Sequence, residues 1–175
     1  MSEKRIAWAI TGAGHTLEEC VQVILKCENV DIFLSRAADE VLRKYKLHLR
    51  IDVPSIRTYR EGKASSPLVA RFFSGAYSAL VVAPATSNSV AKFVHGISDS
   101  LVTNLFAQAG KSRVPIIVYP TDLETNIDSL DPHRAVVKVH PRPIDLENTG
   151  KLRAFAGVKV VGRREELEQC LASYM

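Results

Sequence analysis

The stretch RIAWAITGAGHTLEECVQVILKC, residues 5–27, decides the fold because it passes from a strand pattern to a helix pattern through a glycine turn. Residues 5–11 form a nearly continuous apolar run, which predicts a strand buried on both faces. The residues that then repeat at helical spacing are Leu17, Cys20, Val21 and Ile24. A buried strand followed by an amphipathic helix is the opening unit of an α/β fold.

The same alternation of strand and helix patterns continues along the chain. Further strand candidates are VDIFLS at 30–35, SALVVAPA at 78–85 and VPIIVYP at 114–120. Their uninterrupted apolar runs suit parallel strands that are covered on both faces. Helix candidates are AADEVLRKY at 37–45, NSVAKFVHG at 88–96 and SLVTNLFAQAG at 100–110, the last with Ser98 as its expected cap.

The last third of the chain continues this pattern. Short strands are predicted in AVVKVH (135–140) and VKVVG (158–162), flanking a helix at about 145–155, and residues 164–175 read as a closing helix. Prolines and a glycine interrupt residues 49–73, which predicts loops and one short helix there. The whole chain, residues 1–175, is therefore predicted as a single α/β domain, a three-layer sandwich around a mostly parallel, Rossmann-like sheet.

Composition excludes several classes of protein. The chain has 175 residues, and no apolar run reaches the roughly 20 residues that a membrane span needs. The first ten residues, MSEKRIAWAI, lack a signal-peptide core, so we expect a cytoplasmic protein. Its three cysteines have no metal-binding spacing, which predicts reduced thiols and no metal site, with Cys20 and Cys27 in the core. The net charge is +4 and the basic residues are scattered along the sequence, which argues against nucleic-acid and membrane partners.

Small and polar residues follow four of the predicted strands. The segments are TGAGH at 11–15, SRAA at 35–38, PATSNS at 84–89 and YPTD at 119–122. The carboxyl ends of parallel strands meet at one edge of a sheet, where ligands collect. Backbone amides and hydroxyls at helix starts suit a phosphate group. The sequence therefore predicts a site for a phosphorylated ligand at this edge.

The glycine turn is compatible with more than one kind of nucleotide ligand. Gly12 and Gly14 begin a dinucleotide fingerprint, but Leu17 stands where its third glycine belongs. The second strand ends in Ser35 and Arg36, whereas an NAD site would place a carboxylate there. Arg36 could instead bind the 2′-phosphate of NADP, so an NADP-dependent oxidoreductase remains an alternative. The remaining interpretation is a phosphate turn that serves a mononucleotide.

Four stretches carry a resemblance to a known family. They are AITGAGH (9–15), SRAADEVLRKY (35–45), APATSNSVAKFVHGISDSLVTN (83–104) and VPIIVYP (114–120). In order and spacing they resemble the flavin-binding family of the flavin-dependent cysteine decarboxylases, which includes the flavin prenyltransferases, the archaeoflavoproteins and the dihydromethanopterin reductases. Together with HPRPIDLENTGKLRAFAGVKVV (140–161), they look most similar to the archaeoflavoprotein and dihydromethanopterin reductase group.

The resemblance implies a flavodoxin-like fold that binds FMN at subunit contacts in a homo-oligomer built from trimers. It implies that the flavin is lined by Gly12, Ala13 and Gly14, and that Ser35 binds the ribityl or phosphate portion. It places Thr86, Ser87, Asn88 and Ser89 at the phosphate or the ring edge, and Asn104 where the prenyltransferases have an arginine. His15 and Arg36 are further candidates because each is polar and follows a strand. The alternative to ligand binding is that these residues have ordinary structural roles. Ser35 and Ser89 would then be helix caps, Gly12 and Gly14 would form a tight turn, and Asn88 would be a turn residue.

Departures from the family pattern select among its activities. The decarboxylases carry a histidine fourteen residues before the proline of the PAT motif, and here Ala70 holds that position. The prenyltransferase arginine is absent as well. We therefore expect an FMN-dependent reductase that passes a hydride equivalent to a dihydropterin, the small-molecule substrate. The alternative is an electron carrier that docks with a ferredoxin-like redox protein. No catalytic residue follows from the sequence, although His15, Asp99 and Tyr119 are conceivable proton donors.

Overall fold

The computed structural model describes residues 4–47, 55–62, 68 and 70–175, and these alternate between strands and helices. The strands are β1 Arg5–Ile10, β2 Val30–Leu34, β3 Ile56–Arg60, β4 Tyr77–Ala85, β5 Ile116–Pro120, β6 Ile127–Leu130, β7 Val136–Val139 and β8 Val158–Val160. The helices are α1 Leu17–Ile24, α2 Arg36–Lys44, α3 Ser87–Val94, α4 Leu101–Lys111, α5 Pro143–Leu152 and α6 Arg164–Leu171.

Six strands form one sheet in the order β3-β2-β1-β4-β5-β8, and every neighbouring pair is parallel. Trp8 at the centre pairs with Ile32 on one side and Val81 on the other. The chain builds the sheet outward from β1 in one direction and then from β4 in the other. The two halves diverge between β1 and β4, which opens a crevice at their carboxyl ends.

Both faces of the sheet are covered by helices. Trp8 and Ile10 of β1 pack under α1, α2 and α6, while Ala7 and Ala9 face the cluster under α3, α4 and α5. This alternation along one strand produces two apolar layers from a continuous apolar run. The predicted three-layer α/β sandwich with a mostly parallel sheet is confirmed.

The two cysteines of the first helical segment lie in the core, as predicted. Cys20 and Cys27 are buried and free of disulfides. Burial raises the pKa of the Cys27 thiol to about 11, with a smaller contribution from Glu168. The thiol therefore stays protonated near neutral pH and acts as apolar filling.

The range 49–73 differs from the prediction because it contains a strand. β3 pairs in parallel with β2 at the edge of the sheet, from Ile56 beside Val30 to Arg60 beside Leu34. The prediction of loops and one short helix missed this strand. An edge strand of the sequence IRTYR carries polar residues and lacks the apolar run that marks a central strand. Residues 49–54, 63–67 and 69, which share the range predicted to hold a short helix, lie outside the described residues.

The N-cap of helix α4 lies two residues later in the chain than predicted. Ser100, and not Ser98, is the N-cap: its hydroxyl accepts the Thr103 N–H at 3.3 Å, and the Thr103 hydroxyl accepts the Ser100 N–H at 2.9 Å. Ser98 is exposed. The reciprocal pair requires a side chain three residues after the cap, and Thr103 stands at that spacing from Ser100.

Strands β6 and β7 form an antiparallel hairpin apart from the main sheet, with Ile127 beside Val139. The sequence predicts β7, within residues 135–140, but does not predict its partner. β7 is exposed along its length and β6 is exposed at alternate positions, so neither shows the pattern of a buried strand. Among the described residues, no helix combines the length and apolar character needed to cross a bilayer.

Candidate functional site

Thr11 joins the two segments that flank the crevice between β1 and β4. Its hydroxyl donates to the Pro84 carbonyl oxygen at 2.8 Å and accepts the Thr86 N–H at 2.8 Å. The side chain is only 3% exposed. The turn after β1 and the loop after β4 are therefore held at a fixed separation. Thr11 was not among the predicted residues, because it reads as the last residue of the strand.

The loop after β4 runs directly into helix α3. Thr86 is the N-cap, and its hydroxyl accepts the Ser89 N–H at 3.3 Å and lies 3.0 Å from the Ser89 hydroxyl. Ser87 and Asn88 therefore occupy the first turn of the helix, where N–H groups have no partner within the helix. The positive end of the helix dipole lies at the same place. An anion is stabilised by this combination.

A cavity of about 440 Å³, here called the crevice cavity, lies at the carboxyl ends of β1, β4 and β5. Six of the predicted site residues line it: Ala13, Gly14, His15, Thr86, Ser87 and Asn88. Thr121 and Asp122, which follow β5, complete its polar wall. Leu130, Val137 and Val139 of the hairpin give it an apolar wall. One side of the cavity thus suits a polar or anionic group and the other suits an apolar one.

The two glycines of the turn lie close to helix α2 and to Tyr45, the residue that follows it. A Cβ on Gly12 would overlap the Cβ of Ala37 and lie in tight contact with its backbone, and a Cβ on Gly14 would overlap the end of the Tyr45 side chain. Close packing against α2 is therefore a sufficient reason for Gly12, whereas at Gly14 the added Cβ would meet the movable end of the Tyr45 side chain. Gly12 does not line the crevice cavity, whereas Gly14 does.

Ser35 and Arg36 stand at the start of helix α2 and do not line the crevice cavity. The Ser35 hydroxyl caps the helix by accepting the Ala38 N–H at 3.0 Å. This is the structural role that the sequence left open, and the hydroxyl hydrogen remains available for donation. The Arg36 side chain is exposed, and its backbone N–H donates to Glu61.

Ser89 and Asn104 also use their side chains within or beside their own helices. The Ser89 hydroxyl contacts Thr86, as described above, and the Asn104 Nδ2 donates to the Ser100 carbonyl oxygen at 2.9 Å in the first turn of α4. Neither residue lines the crevice cavity. The structure therefore brings six of the predicted residues together at the crevice cavity, whereas Gly12, Ser35, Arg36, Ser89 and Asn104 do not line it.

Glu61, directly after β3, joins two helix starts and was not predicted. Its carboxylate accepts the Arg36 N–H at 2.9 Å and the Leu101 N–H at 2.8 Å. Each N–H belongs to the first residue of its helix, so one negative charge faces the positive ends of α2 and α4. A single glutamate after a weak edge strand has no sequence signature that identifies this role.

The hairpin covers a second cavity of about 370 Å³, here called the hairpin cavity, beside helix α1. The Tyr45 hydroxyl donates to the Leu130 carbonyl oxygen at 2.9 Å, and Arg134 pairs with Glu18 at 2.7 Å, so both contacts help to hold the hairpin in place. Gly14, His15 and Tyr45 line both this cavity and the crevice cavity. The two spaces are therefore neighbours with a common wall.

His15 has the most distinctive electrostatic environment of the predicted residues. Burial lowers the pKa of its imidazole, and the nearby Glu19 and Asp122 carboxylates oppose this shift. The ring is therefore mostly neutral at neutral pH. Among the described residues, no group of three or more His, Cys, Asp or Glu side chains is arranged to hold a metal ion.

Comparison with protein families gives one match over nearly the whole chain. The sequence model of the family described as Flavoprotein matches residues 1–174. The dihydromethanopterin reductase (acceptor) of Methanosarcina mazei is 49% identical over 146 residues, which are 76% of this chain and 61% of that protein. The enzyme of the same name from Methanocaldococcus jannaschii is 43% identical over 70% of this chain and 55% of its own length. The chain thus spans less than two thirds of these two named relatives.

A solved structure is similar over almost its full length. It is the crystal structure of Burkholderia xenovorans DmrB in complex with FMN, described as a cubic protein cage for redox transfer. The two chains are 39% identical, with a TM-score of 0.87. The similarity covers 98% of this chain and 94% of that one.

Proposed function

This chain belongs to the flavoprotein family, and on that premise we propose that it is an FMN-dependent oxidoreductase, which passes a hydride equivalent from reduced flavin to a dihydropterin. The proposed substrate is dihydromethanopterin and the product tetrahydromethanopterin. The crevice cavity carries the proposal, because it combines a helix start and hydroxyls with an apolar wall at the point where the sheet order diverges. The named reductases and the FMN-bound relative support the same activity.

The residues present fit FMN. The first turn of α3, with Thr86, Ser87 and Asn88, offers N–H groups and hydroxyls to the phosphate. Ala13 and Gly14 border the space for the ring system, and the hairpin offers it an apolar wall. We place Ser35 and Arg36 at the ribityl or phosphate end, Gly12 beside the flavin, and Ser89 and Asn104 toward the phosphate. Bound FMN supplies the hydride chemistry, while the chain binds, orients and shields it.

We also propose that the electron donor is a redox protein and that the protein acts in the cytoplasm. The net charge of +4 would favour an acidic partner through electrostatic steering. The free cysteines Cys20, Cys27 and Cys170 suit a reducing compartment. Stopped-flow reduction of the flavin by a ferredoxin-like protein would test the donor. The rate should fall as salt concentration rises, and a rate independent of salt would contradict electrostatic docking.

A homo-oligomer built from trimers is the proposed assembly. Large apolar side chains are exposed on the single chain, among them Phe73, Ile97 and Val136, the last 66% exposed. Contact between copies would bury such surface. The Burkholderia relative, described as a cubic cage, supports this expectation. Light scattering should give a mass that is a multiple of three chains, and a monomer or dimer would contradict it.

The central test is release and identification of the cofactor. The purified protein should be yellow, and heat should release a compound with the mass of FMN. Reduced enzyme should then be reoxidised by dihydropterins in stoichiometric single turnovers. A colourless protein that rejects added FMN would overturn the proposed function. A yellow protein that exchanges electrons with a redox partner but leaves dihydropterins unchanged would establish the electron carrier instead.

A further inference from the structure

We propose that His15 delivers the proton that accompanies hydride transfer, from the wall shared by the crevice cavity and the hairpin cavity, and that the hairpin cavity receives the pterin. This inference rests on the proposed function, since it assigns a catalytic residue and a substrate chamber to that reaction. The chamber is bounded by Glu19 and Gln22 of helix α1 and by Asp128 of the hairpin.

The position of His15 supports this role. Among the described residues, His15 alone lines the crevice cavity, the hairpin cavity and a third space of about 230 Å³ beside β5. Neither of its ring nitrogens has a hydrogen-bond partner in the part of the chain that the structure describes. A half-buried imidazole without a partner, at the boundary of two ligand-sized cavities, is free to bond to a bound molecule.

The backbone next to His15 is held in an unfavourable conformation. Thr16 has φ 59°, in the left-handed region that β-branched residues rarely adopt. Its hydroxyl donates to the His15 carbonyl oxygen at 2.7 Å. Such conformations persist where the surrounding structure requires them, often at functional sites. Here the conformation fixes the turn that carries the imidazole.

The proposed reaction requires a proton as well as a hydride. The C=N bond of the dihydropterin accepts a hydride on carbon, and its π electron pair moves to nitrogen and forms the N–H bond. The imidazolium of His15 gives up that proton and becomes neutral, and solvent reprotonates it. The flavin is left oxidised, so each turnover consumes one two-electron reductant from the external donor.

Other acids near the cavities are less suited to this step. The charged and titratable groups that share a cavity wall with His15 are Glu18, Glu19, Tyr45, Tyr119, Asp122, Glu124, Asp128, Asp131 and Arg134. Burial raises the pKa of Tyr45, whose hydroxyl already donates to Leu130. An ionised carboxylate only accepts hydrogen bonds and has no proton to donate. His15, with its lowered pKa, is a stronger acid than a free imidazole when protonated.

The test uses His15→Gln, with His95→Gln as the matched control because His95 is exposed and lines none of the three cavities. Single-turnover reoxidation of the reduced, FMN-loaded protein by dihydropterin should slow about 100-fold in His15→Gln and remain unchanged in the control. Reoxidation by ferricyanide, which requires no proton donor, should keep its rate in both variants. In His15→Ala, added imidazole should restore part of the lost rate.

The pH profile supplies a second criterion. The wild-type rate should fall as pH rises through the pKa of His15, and His15→Gln should lose this dependence. In the flavin-free protein, the NMR titration of the His15 ring should have a midpoint below the ordinary value of 6.5. If His15→Gln keeps the wild-type rate, or slows equally with ferricyanide, the inference fails while the proposed function stands. If the wild type binds no FMN, the proposed function fails first.

Discussion

Gly12 sits against helix α2 with no space for a side chain. A Cβ there would overlap the Cβ of Ala37, which is fixed to the backbone, so Gly12→Ala must move the helix or the turn. We expect the free energy of unfolding to fall by about 1–3 kcal/mol, the usual range for overpacking. The matched control is Gly150→Ala in α5, an exposed glycine with no atom within 4 Å of the added Cβ. Urea denaturation should show it slightly stabilised, by roughly 0.5 kcal/mol. Equal effects would contradict the packing explanation.

Thr11 offers a second test at the scale of one residue. Thr11→Val keeps the shape of the side chain but leaves the Thr86 N–H without its acceptor. We expect a loss of about 1–3 kcal/mol in unfolding free energy. FMN affinity should fall about tenfold, because the loop that starts α3 loses its anchor. Thr11→Ser, which retains the hydroxyl, should be close to wild type in both measurements. Weak binding in the serine variant as well would indicate that the lost methyl group, not the hydrogen bond, is responsible.

His15 should also make the stability of the flavin-free protein depend on pH. Burial lowers its pKa in the folded state, so the folded protein binds this proton less readily than the unfolded chain does. The stabilisation is therefore present above pH 6.5, the ordinary value, and is lost as pH falls through the lowered pKa. Comparison of the unfolding free energies of wild type and His15→Gln from pH 7.5 to about 5 isolates this contribution. The wild type should lose more stability over the acidic part of the range, and parallel curves would contradict the lowered pKa.

The sequence predicted which residues line the crevice cavity better than it predicted their individual contacts. Small and polar residues after strands are informative because parallel strands bring their carboxyl ends to one edge, and this placed Ala13, His15 and Thr86 together. Thr11 and Glu61 were missed because their roles depend on partners far along the chain, Thr86 and Leu101. Local patterns do not contain such pairings.

At the scale of elements, Glu61 couples the starts of α2 and α4 to the end of β3. Glu61→Gln removes the charge that faces both helix dipoles and leaves only one acceptor oxygen for two N–H groups. We expect a loss of about 1–2 kcal/mol in unfolding free energy. Glu40→Gln, an exposed carboxylate on α2, is the matched control and should change stability little. Hydrogen exchange should show the first turns of both helices less protected in Glu61→Gln, and a change in only one of them would contradict the coupling.

The elements that the sequence predicted are those with a clear apolar pattern. β1, β2, β4 and β5 are central or nearly so, and burial on both faces produces the uninterrupted runs that identify them. β3 lies at an edge and β6 in an exposed hairpin, so neither is required to be apolar. The position of the hairpin depends on long-range contacts, such as the hydrogen bond from the Tyr45 hydroxyl to the Leu130 carbonyl oxygen.

In the molecule as a whole, the carboxyl and amino ends of the strands have different roles. The carboxyl ends of the strands carry the cavities and the segments proposed for FMN. The amino ends carry a buried polar cluster around Asp31, which is 0% exposed. Its carboxylate contacts Arg5 Nε at 2.6 Å, Arg71 Nη1 at 2.8 Å and the Tyr77 hydroxyl at 2.8 Å. These residues belong to β2, β1, the segment before β4, and β4 itself, so one carboxylate joins the centre of the sheet.

Asp31→Asn tests whether stability and ligand binding are separable in this fold. The substitution leaves two arginines beside a neutral amide in a buried site, and removing one partner of a buried ion pair costs about 3–5 kcal/mol. Asp99→Asn makes the same chemical change in an exposed pair with Lys92 and should leave the urea midpoint unchanged. Because the cluster lies at the opposite end of the strands from the crevice cavity, the folded Asp31→Asn protein should bind FMN with wild-type affinity. Titration below the unfolding transition measures this directly. A weakened affinity in the folded variant would mean that the amino-terminal cluster also shapes the site, and that the two ends of the sheet are energetically coupled.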